Sequence, residues 1–273
     1  MDHDASRAAA ILEDCLRSMV SAMPQSVWHR RDPGIVAFAT GIAIPAMNGV
    51  TVCRTDADIN TVRRLLLAVL DSGSPCQLQG RIALQEPLSD IAQEFEMVPD
   101  QGVPLMVLHG APAWAPSPQG LPTLRELPDE ERALHAEVMA AGFEAPIEVI
   151  GQAIELIHSI PSLRMYAAEV NGVPVSTAAT ILAEPDSVMV LNVATPPEHR
   201  RLGYGATVTA HAIRSAVSDG AKWAWLQSSP DGLPVYERMG FSQVESWPTW
   251  IQHAPRQGGC SQGLSSLSLG DDD

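Results

Sequence analysis

From Asp4 to Met19 apolar residues recur at helical spacing (Ala8, Ile11, Leu12, Cys15, Leu16, Met19), which predicts a helix ending before Pro24. GIVAFATGIAIP and NGVTVCRT follow as two runs rich in β-branched residues with turn signals between them, and read as strands. DADINTVRRLLLAVLDSG opens on Asp residues suited to capping and closes at Gly73, the pattern of a second helix. CQLQGRIAL, PLSDIAQEFEM and VPLMVLHG then supply a strand, a helix and a strand, so residues 1–110 read as a small α/β unit.

The pattern breaks at Ala111 to Pro128, where repeated prolines favour extended backbone and predict a semi-rigid linker, 111–128. Helical periodicity returns over Asp129 to Gly142 and Pro146 to Ile160. Three strands follow in LRMYAAEVNGVPVSTAATILAEPDSVMVLNVAT, joined at the hairpin signal Asn171-Gly172 and at Glu184 to Ser187, which implies an antiparallel meander. Gly203 to Asp219 reads as a helix stopped by Gly220, AKWAWLQSS as a strand, DGLPVYERMG as a short helix ending at Gly240, and FSQVESWPTWIQ as a last strand or pair. These elements make a second domain, 129–255, and the tail 256–273, poor in bulky residues, reads as disordered.

Composition narrows the class. Hydrophobic residues are 45% and charged residues 18% of the 273, ordinary values for a globular protein with a sizeable core. Lys plus Arg total 17 against 32 Asp plus Glu, a net charge of -15 that repels nucleic acid and anionic membrane surfaces. His29-Arg30-Arg31 is too short to reverse that. Cys15, Cys53, Cys76 and Cys260 form no CxxC pair and no His spacing suited to zinc, so reduced thiols, no metal and a cytoplasmic location are expected. No signal peptide opens the chain and no apolar run reaches the roughly 18 residues of a membrane span.

Candidate chemistry concentrates in TPPEHRRLGYGA, between the third meander strand and the next helix. Gly203 and Gly205 let main-chain amides approach a ligand, and a helix start with its positive dipole end suits a pyrophosphate, with Arg200 or Arg201 adding charge. In isolation the same stretch reads equally as a tight strand-to-helix turn. Thr207 and Val208 stand where the third glycine of a dinucleotide fingerprint would fall, and no Lys-Ser/Thr pair marks a phosphate loop. Nicotinamide-dependent redox chemistry and phosphoryl transfer therefore lose rank.

NVATPPEHRRLGYGA, a helix, WLQSS and PVYERMGF, in that order over roughly Leu163 to Trp250, resemble the Gcn5-related N-acetyltransferase (GNAT) superfamily, whose R/Q-x-x-G-x-G/A loop binds coenzyme A. TGIAIPAMNGV looks like the amino-terminal half found ahead of such a domain in a subgroup of these enzymes. The resemblance implies an α/β (α+β) GNAT fold, with a mixed, mainly antiparallel central sheet flanked by helices, preceded by a smaller GNAT-like α/β domain. It implies that Asn192, Val193 and Ala194 offer main-chain groups to the pantetheine arm of acetyl-CoA, and that Arg200, Arg201, Leu202, Gly203, Tyr204, Gly205 and Ala206 hold the pyrophosphate. Ser228 and Ser229 would lie near the far arm of the cofactor, and Tyr236 would protonate the departing thiolate. The implied reaction is acetyl transfer from acetyl-CoA to the amine of a small molecule, without a metal, and the superfamily-level oligomer is a homodimer.

One departure stands out. Several members carry a glutamate in the strand before the loop, but here that strand reads VMVLNVAT, without an acid. A base must come from Glu144, Glu148, Glu155 or His158 in the two helices, from Glu169 in the meander, or from a water chain. The departure keeps open a non-catalytic acyl-CoA binding or sensing protein, and an acyltransferase using a longer acyl-CoA donor. Structural readings stand beside the functional ones: Tyr236 as a ring packed under the sheet, Asn192 as a satisfied strand residue, Trp247 and Trp250 as core, and Glu130-Glu131-Arg132 as a solvated first turn.

Overall fold

The computed structural model describes residues 2–24, 27–113, 121–158, 160, 162–183 and 186–253. They fall into two compact units, one of the residues up to Val103 together with those from Glu245, the other Pro104–Val244. The tail from 256, Trp114 to Gly120 of the Pro-rich segment, and Glu184 and Pro185 lie outside the described residues.

The first unit contains α1 (Asp2–Ala22), β1 (Trp28–Asp32), β2 (Ile35–Ala39), β3 (Asn48–Val52), α2 (Ile59–Leu70), β4 (Cys76–Gly80), α3 (Gln85–Glu94) and the two-residue β5 (Val98–Pro99). Asp58 caps α2 as its sequence suggests, its carboxylate accepting from the amides of Asn60 and Thr61 at 3.2 and 3.1 Å. Val62, Leu65, Leu66 and Val69 of α2 face Val50, Val52 and Leu78 of the sheet, which is why the apolar stripe and the fully buried strands belong to one core. Between β2 and β3, Asn48 closes the turn: its Oδ1 accepts from the amides of Thr40 and Gly41, and its Nδ2 donates to the carbonyls of Ile42, Ile44 and Pro75. β1, WHRRD, lacks the alternation that announces a strand, because it is an edge strand paired to β2 alone.

The second unit contains β6 (Val103–His109, from Pro104 on), β7 (Thr123–Leu127), α4 (Arg132–Gly142), α5 (Ile147–Ile157), β8 (Leu163–Val170), β9 (Val173–Ala183), β10 (Ser187–Ala194), α6 (Tyr204–Ser218), β11 (Trp223–Gln227) and α7 (Leu233–Met239). β8, β9 and β10 form the expected antiparallel meander. β7 lies inside the Pro-rich segment yet pairs with β8, and Arg125 holds it through Glu131 and Glu169 at 2.6 and 2.8 Å. The apolar face of α6, with Ala206, Val208, Ala212 and Ile213, packs on Tyr166, Val188, Val190 and Leu226.

The last two strands, β12 (Ser242–Trp247) and β13 (Thr249–Gln252), enter different sheets. The first sheet runs β1-β2-β3-β4-β13-β5 and the second β12-β6-β11-β10-β9-β8-β7, both mostly antiparallel, with the parallel pairs β3–β4 and β10–β11. Trp250 lies in the first core, and Trp247 is buried with its Nε1 donating to Glu245 at 3.2 Å. Glu245 of β12 also accepts from Arg81 Nε, just past β4, at 2.6 Å and from the amide of Ile82 at 2.9 Å, a buried ion pair.

Candidate functional site

The two parallel pairs differ, and the difference marks an opening in the second sheet. In the first unit β3 and β4 stay paired from Gly49↔Gln77 to Val52↔Gly80, the full length of both strands beyond Asn48 and Cys76. In the second, β10 and β11 pair only from Ser187↔Trp223 to Met189↔Trp225. β10 then runs on to Ala194 along β9, while β11 runs on to Gln227 along β6. Past Met189 the two strands have turned to their outer neighbours, so the edges they present to each other are strand edges without a ladder, able to take an extended ligand chain as an added strand.

β10 is also bulged there. Its register against β9 jumps from Leu191↔Ala179 to Ala194↔Thr177, so Asn192 and Val193 together oppose a single residue. Asn192 is buried and left-handed, φ +54°, a conformation that non-glycine residues hold only when their surroundings impose it. The surroundings are visible on the far side of the bulge. Ser176 Oγ donates to the carbonyl of Ala194 at 3.0 Å, and a Cβ on Gly142 of α4 would come within 2.9 Å of Ala194 Cβ and 3.0 Å of the Thr195 amide. The end of α4 therefore rests directly on the end of β10.

Pro196 and Pro197 terminate β10, and the chain enters the loop that leads to α6. Arg201 and Gly203 are both left-handed, φ +62° and +83°, and Gly203 is the cap residue of α6. A glycine there offers no side chain at the helix start, and the first turn holds no acidic residue. Such alternating left-handed turns aim successive amides to one side, toward which the positive end of the helix also points. Tyr204 and Gly205 and Ala206 are buried; Arg201 and Leu202 are exposed. Tyr204 is fixed in the core and meets His199 edge-on at 6.4 Å.

On the other strand, Ser228 and Ser229 follow β11 and are buried. Ser228 Oγ donates to the carbonyl of Ser229 at 2.6 Å, and Ser229 Oγ accepts from the amide of Gly232 at 2.9 Å, which starts α7. Tyr236, one turn into α7, is 2% exposed and stands edge-on to Phe241 at 5.7 Å. A Cβ on Gly232 would meet Ser228 Oγ, Ser229 Oγ and Tyr236 Cε2 at 3.0 to 3.2 Å, so the two serines and the tyrosine ring are gathered around one glycine at the end of β11.

Among the acids considered as bases, most are engaged in ion pairs. Glu144 pairs with Arg200 at 3.3 Å, Glu169 with Arg125 at 2.8 Å, and Glu155 with Arg132 at 2.7 Å, where the guanidinium holds its carboxyl below the usual range. His158 contacts the carbonyl of Glu155 through Nδ1 at 2.6 Å, and Glu148 is exposed. The residue that sequence reasoning passed over is His135. It is fully buried on the inner stripe of α4 with Val138, Met139 and Gly142, and its Nδ1 lies 2.5 Å from Thr177 Oγ1. Thr177 spends its own proton on the carbonyl of Tyr166 at 2.8 Å, so the hydrogen-bond network assigns the imidazole hydrogen to Nδ1. Nε2 is then a buried acceptor with no partner among the described residues, and burial lowers the histidine pKa to about 3. A polar residue at the centre of a buried helical stripe was the available signal.

The first unit offers no counterpart to this opening. There the parallel pair is closed, and the start of the following helix is occupied by its own Asp58 carboxylate. Among the described residues, no cluster of His, Cys, Asp and Glu could hold a metal, and no helix is long and apolar enough to cross a membrane.

Residues 129–241 match the model of the acetyltransferase (GNAT) family. No curated protein matches the chain by sequence. The fold is similar to that of a GCN5-related N-acetyltransferase from Kribbella flavida, 20% identical, TM-score 0.67, over 93% of this chain and 96% of that one. A second GCN5-related N-acetyltransferase, from Sphaerobacter thermophilus, is 12% identical with TM-score 0.59 over 82% and 78%. A tandem GNAT protein from the clavulanic acid biosynthesis pathway is 14% identical with TM-score 0.51 over 79% and 77%. At these identities the likeness is one of fold: two mostly antiparallel sheets flanked by helices, in tandem.

Proposed function

We propose, from the match of residues 129–241 to the GNAT acetyltransferase family model, that the chain transfers an acetyl group from acetyl-CoA to the amine of a small molecule. The observation that carries the proposal is the parting of β10 from β11 after Met189, beside a left-handed loop at the start of α6. The freed edge of β10, Asn192 to Ala194, takes the pantetheine arm as an added strand, and a main-chain amide there polarises the thioester carbonyl as charge builds on its oxygen. The loop from Arg200 to Ala206 receives the pyrophosphate through main-chain amides and the dipole of α6. Ser228 and Ser229 line the far arm from the β11 side. Tyr236, at the same end of β11, gives its proton to the departing coenzyme A thiolate.

The acceptor amine must lose its own proton to attack, and β10 holds no acid to take it. That observation favours a second reading, a protein that binds acyl-CoA without turning it over. Release of free thiol from acetyl-CoA across a panel of small amines separates the two. Turnover with any amine supports the enzyme; tight acetyl-CoA binding with no turnover across the panel supports the sensor.

A further inference from the structure

We propose that Arg200 is a positioning residue: its guanidinium ties the end of β10 to the last turn of α4 and so sets the strand edge that takes the pantetheine arm, instead of gripping the pyrophosphate. The inference rests on the acyl-CoA reading above. Arg200 Nη2 donates to the carbonyl of Gly142 at 2.5 Å and Nε donates to the carbonyl of Thr195 at 3.2 Å. Nη1 donates to Glu144 at 3.3 Å. Nε and Nη2 lie along one side of the planar fork, so a single rigid group spans the two carbonyls.

The place suits the charge. Gly142 is the final residue of α4, and carbonyls of a last helical turn carry the negative end of the helix dipole, where a cation is favoured. The contact also needs the glycine, because any Cβ at 142 would push against Ala194 and the Thr195 amide. The segment being held is buried but irregular, and Thr195 Oγ1 also meets Ser176 Oγ at 2.9 Å. Strand pairing with β9 lapses at the bulge, Asn192 sits at φ +54°, and pairing returns only at Ala194↔Thr177. Ser176 holds the carbonyl of Ala194 and Arg200 holds that of Thr195, so two successive carbonyls after the bulge are pinned by side chains. Arg201, exposed in the same loop, remains as its solvent-facing cation.

A pair of ligands distinguishes the roles. S-acetylpantetheine has the thioester and the pantetheine arm but no pyrophosphate. Affinities of both S-acetylpantetheine and acetyl-CoA are measured by ligand-observed NMR and calorimetry at low temperature for the wild type, Arg200→Ala, Arg200→Lys and Gly142→Ala. If Arg200 positions the strand, Arg200→Ala weakens both ligands by the same factor, about tenfold for the loss of charge-assisted hydrogen bonds. Arg200→Lys then does not restore them, since an ammonium cannot span both carbonyls, and Gly142→Ala reproduces the loss with the loop charge intact. The proposal is overturned if Arg200→Ala weakens acetyl-CoA alone and Arg200→Lys rescues it, or if Gly142→Ala leaves both affinities unchanged. A wild type that binds neither ligand refutes the acyl-CoA reading itself, and the positioning role with it. Arg200→Ala that fails to fold leaves Gly142→Ala as the deciding variant.

Discussion

Lowering the pH should weaken the second unit, with the largest share coming from His135; His211, whose pKa burial also lowers, acts in the same direction. In the folded chain its imidazole is sealed between α4 and β9, and burial brings its pKa from 6.5 to about 3. The folded state thus refuses a proton that the unfolded chain accepts below 6.5. Stability therefore falls as pH drops through that window, by about 1.4 kcal/mol per pH unit, until the folded imidazole itself protonates. Between pH 7.5 and pH 4.5 the linkage is worth on the order of 3 kcal/mol, a large share of the stability of an ordinary domain. Asn at position 135 keeps a donor for Thr177 Oγ1 but does not titrate. Urea unfolding followed by circular dichroism should therefore show a steeper loss in the wild type than in His135→Asn, by about that amount. The imidazole nitrogen shifts give an independent reading: at pH 4.5 they should still report a neutral Nδ1–H ring. Equal pH dependence in the two proteins, or an imidazolium spectrum at pH 4.5, would refute the reasoning.

Three further outcomes are expected. Tyr236→Phe should cut turnover at least tenfold while acetyl-CoA affinity stays within a few-fold, as steady-state kinetics and calorimetry can check; unchanged turnover removes Tyr236 from the chemistry. Gly203→Val forces a β-branched residue to φ +83°, a cost of about 1–3 kcal/mol, and should abolish the rise in melting temperature that acetyl-CoA gives. Glu245→Ala leaves Arg81 buried without its carboxylate and should destabilise the first unit by about 3–5 kcal/mol, so a change under about 1 kcal/mol by urea unfolding would mean the pair is dispensable.

Much of the second unit can be read from local pattern, because its elements announce themselves over short distances. Asn171-Gly172 places the β8–β9 hairpin, Gly220 and Gly240 stop two helices at left-handed caps, and the loop glycines mark the start of α6. β1 and β7 escape such a reading since edge strands need only one paired side and carry polar residues on the other. Asn192 gives a faint hint, asparagine being tolerant of the left-handed region, but the bulge itself is a property of two strands in register. The role of Arg200 is illegible for another reason. Its strongest partner is a main-chain carbonyl 58 residues earlier, and a carbonyl has no letter in the sequence. His135 was legible as a polar residue in an apolar stripe, although its partner Thr177, 42 residues on, was not.

The sheets are interleaved along the chain: β13, the last described strand, lies between β4 and β5, and β6 lies between β12 and β11. On a ribosome, the first sheet cannot close until residue 252 has been synthesised, long after its other strands have emerged. During that interval the β4 edge that β13 will cover is open to pairing with other chains, the kind of exposed strand edge that favours aggregation. Expression of the amino-terminal residues without β13 would leave that edge open permanently, so the chain is one unit of biosynthesis although it contains two cores.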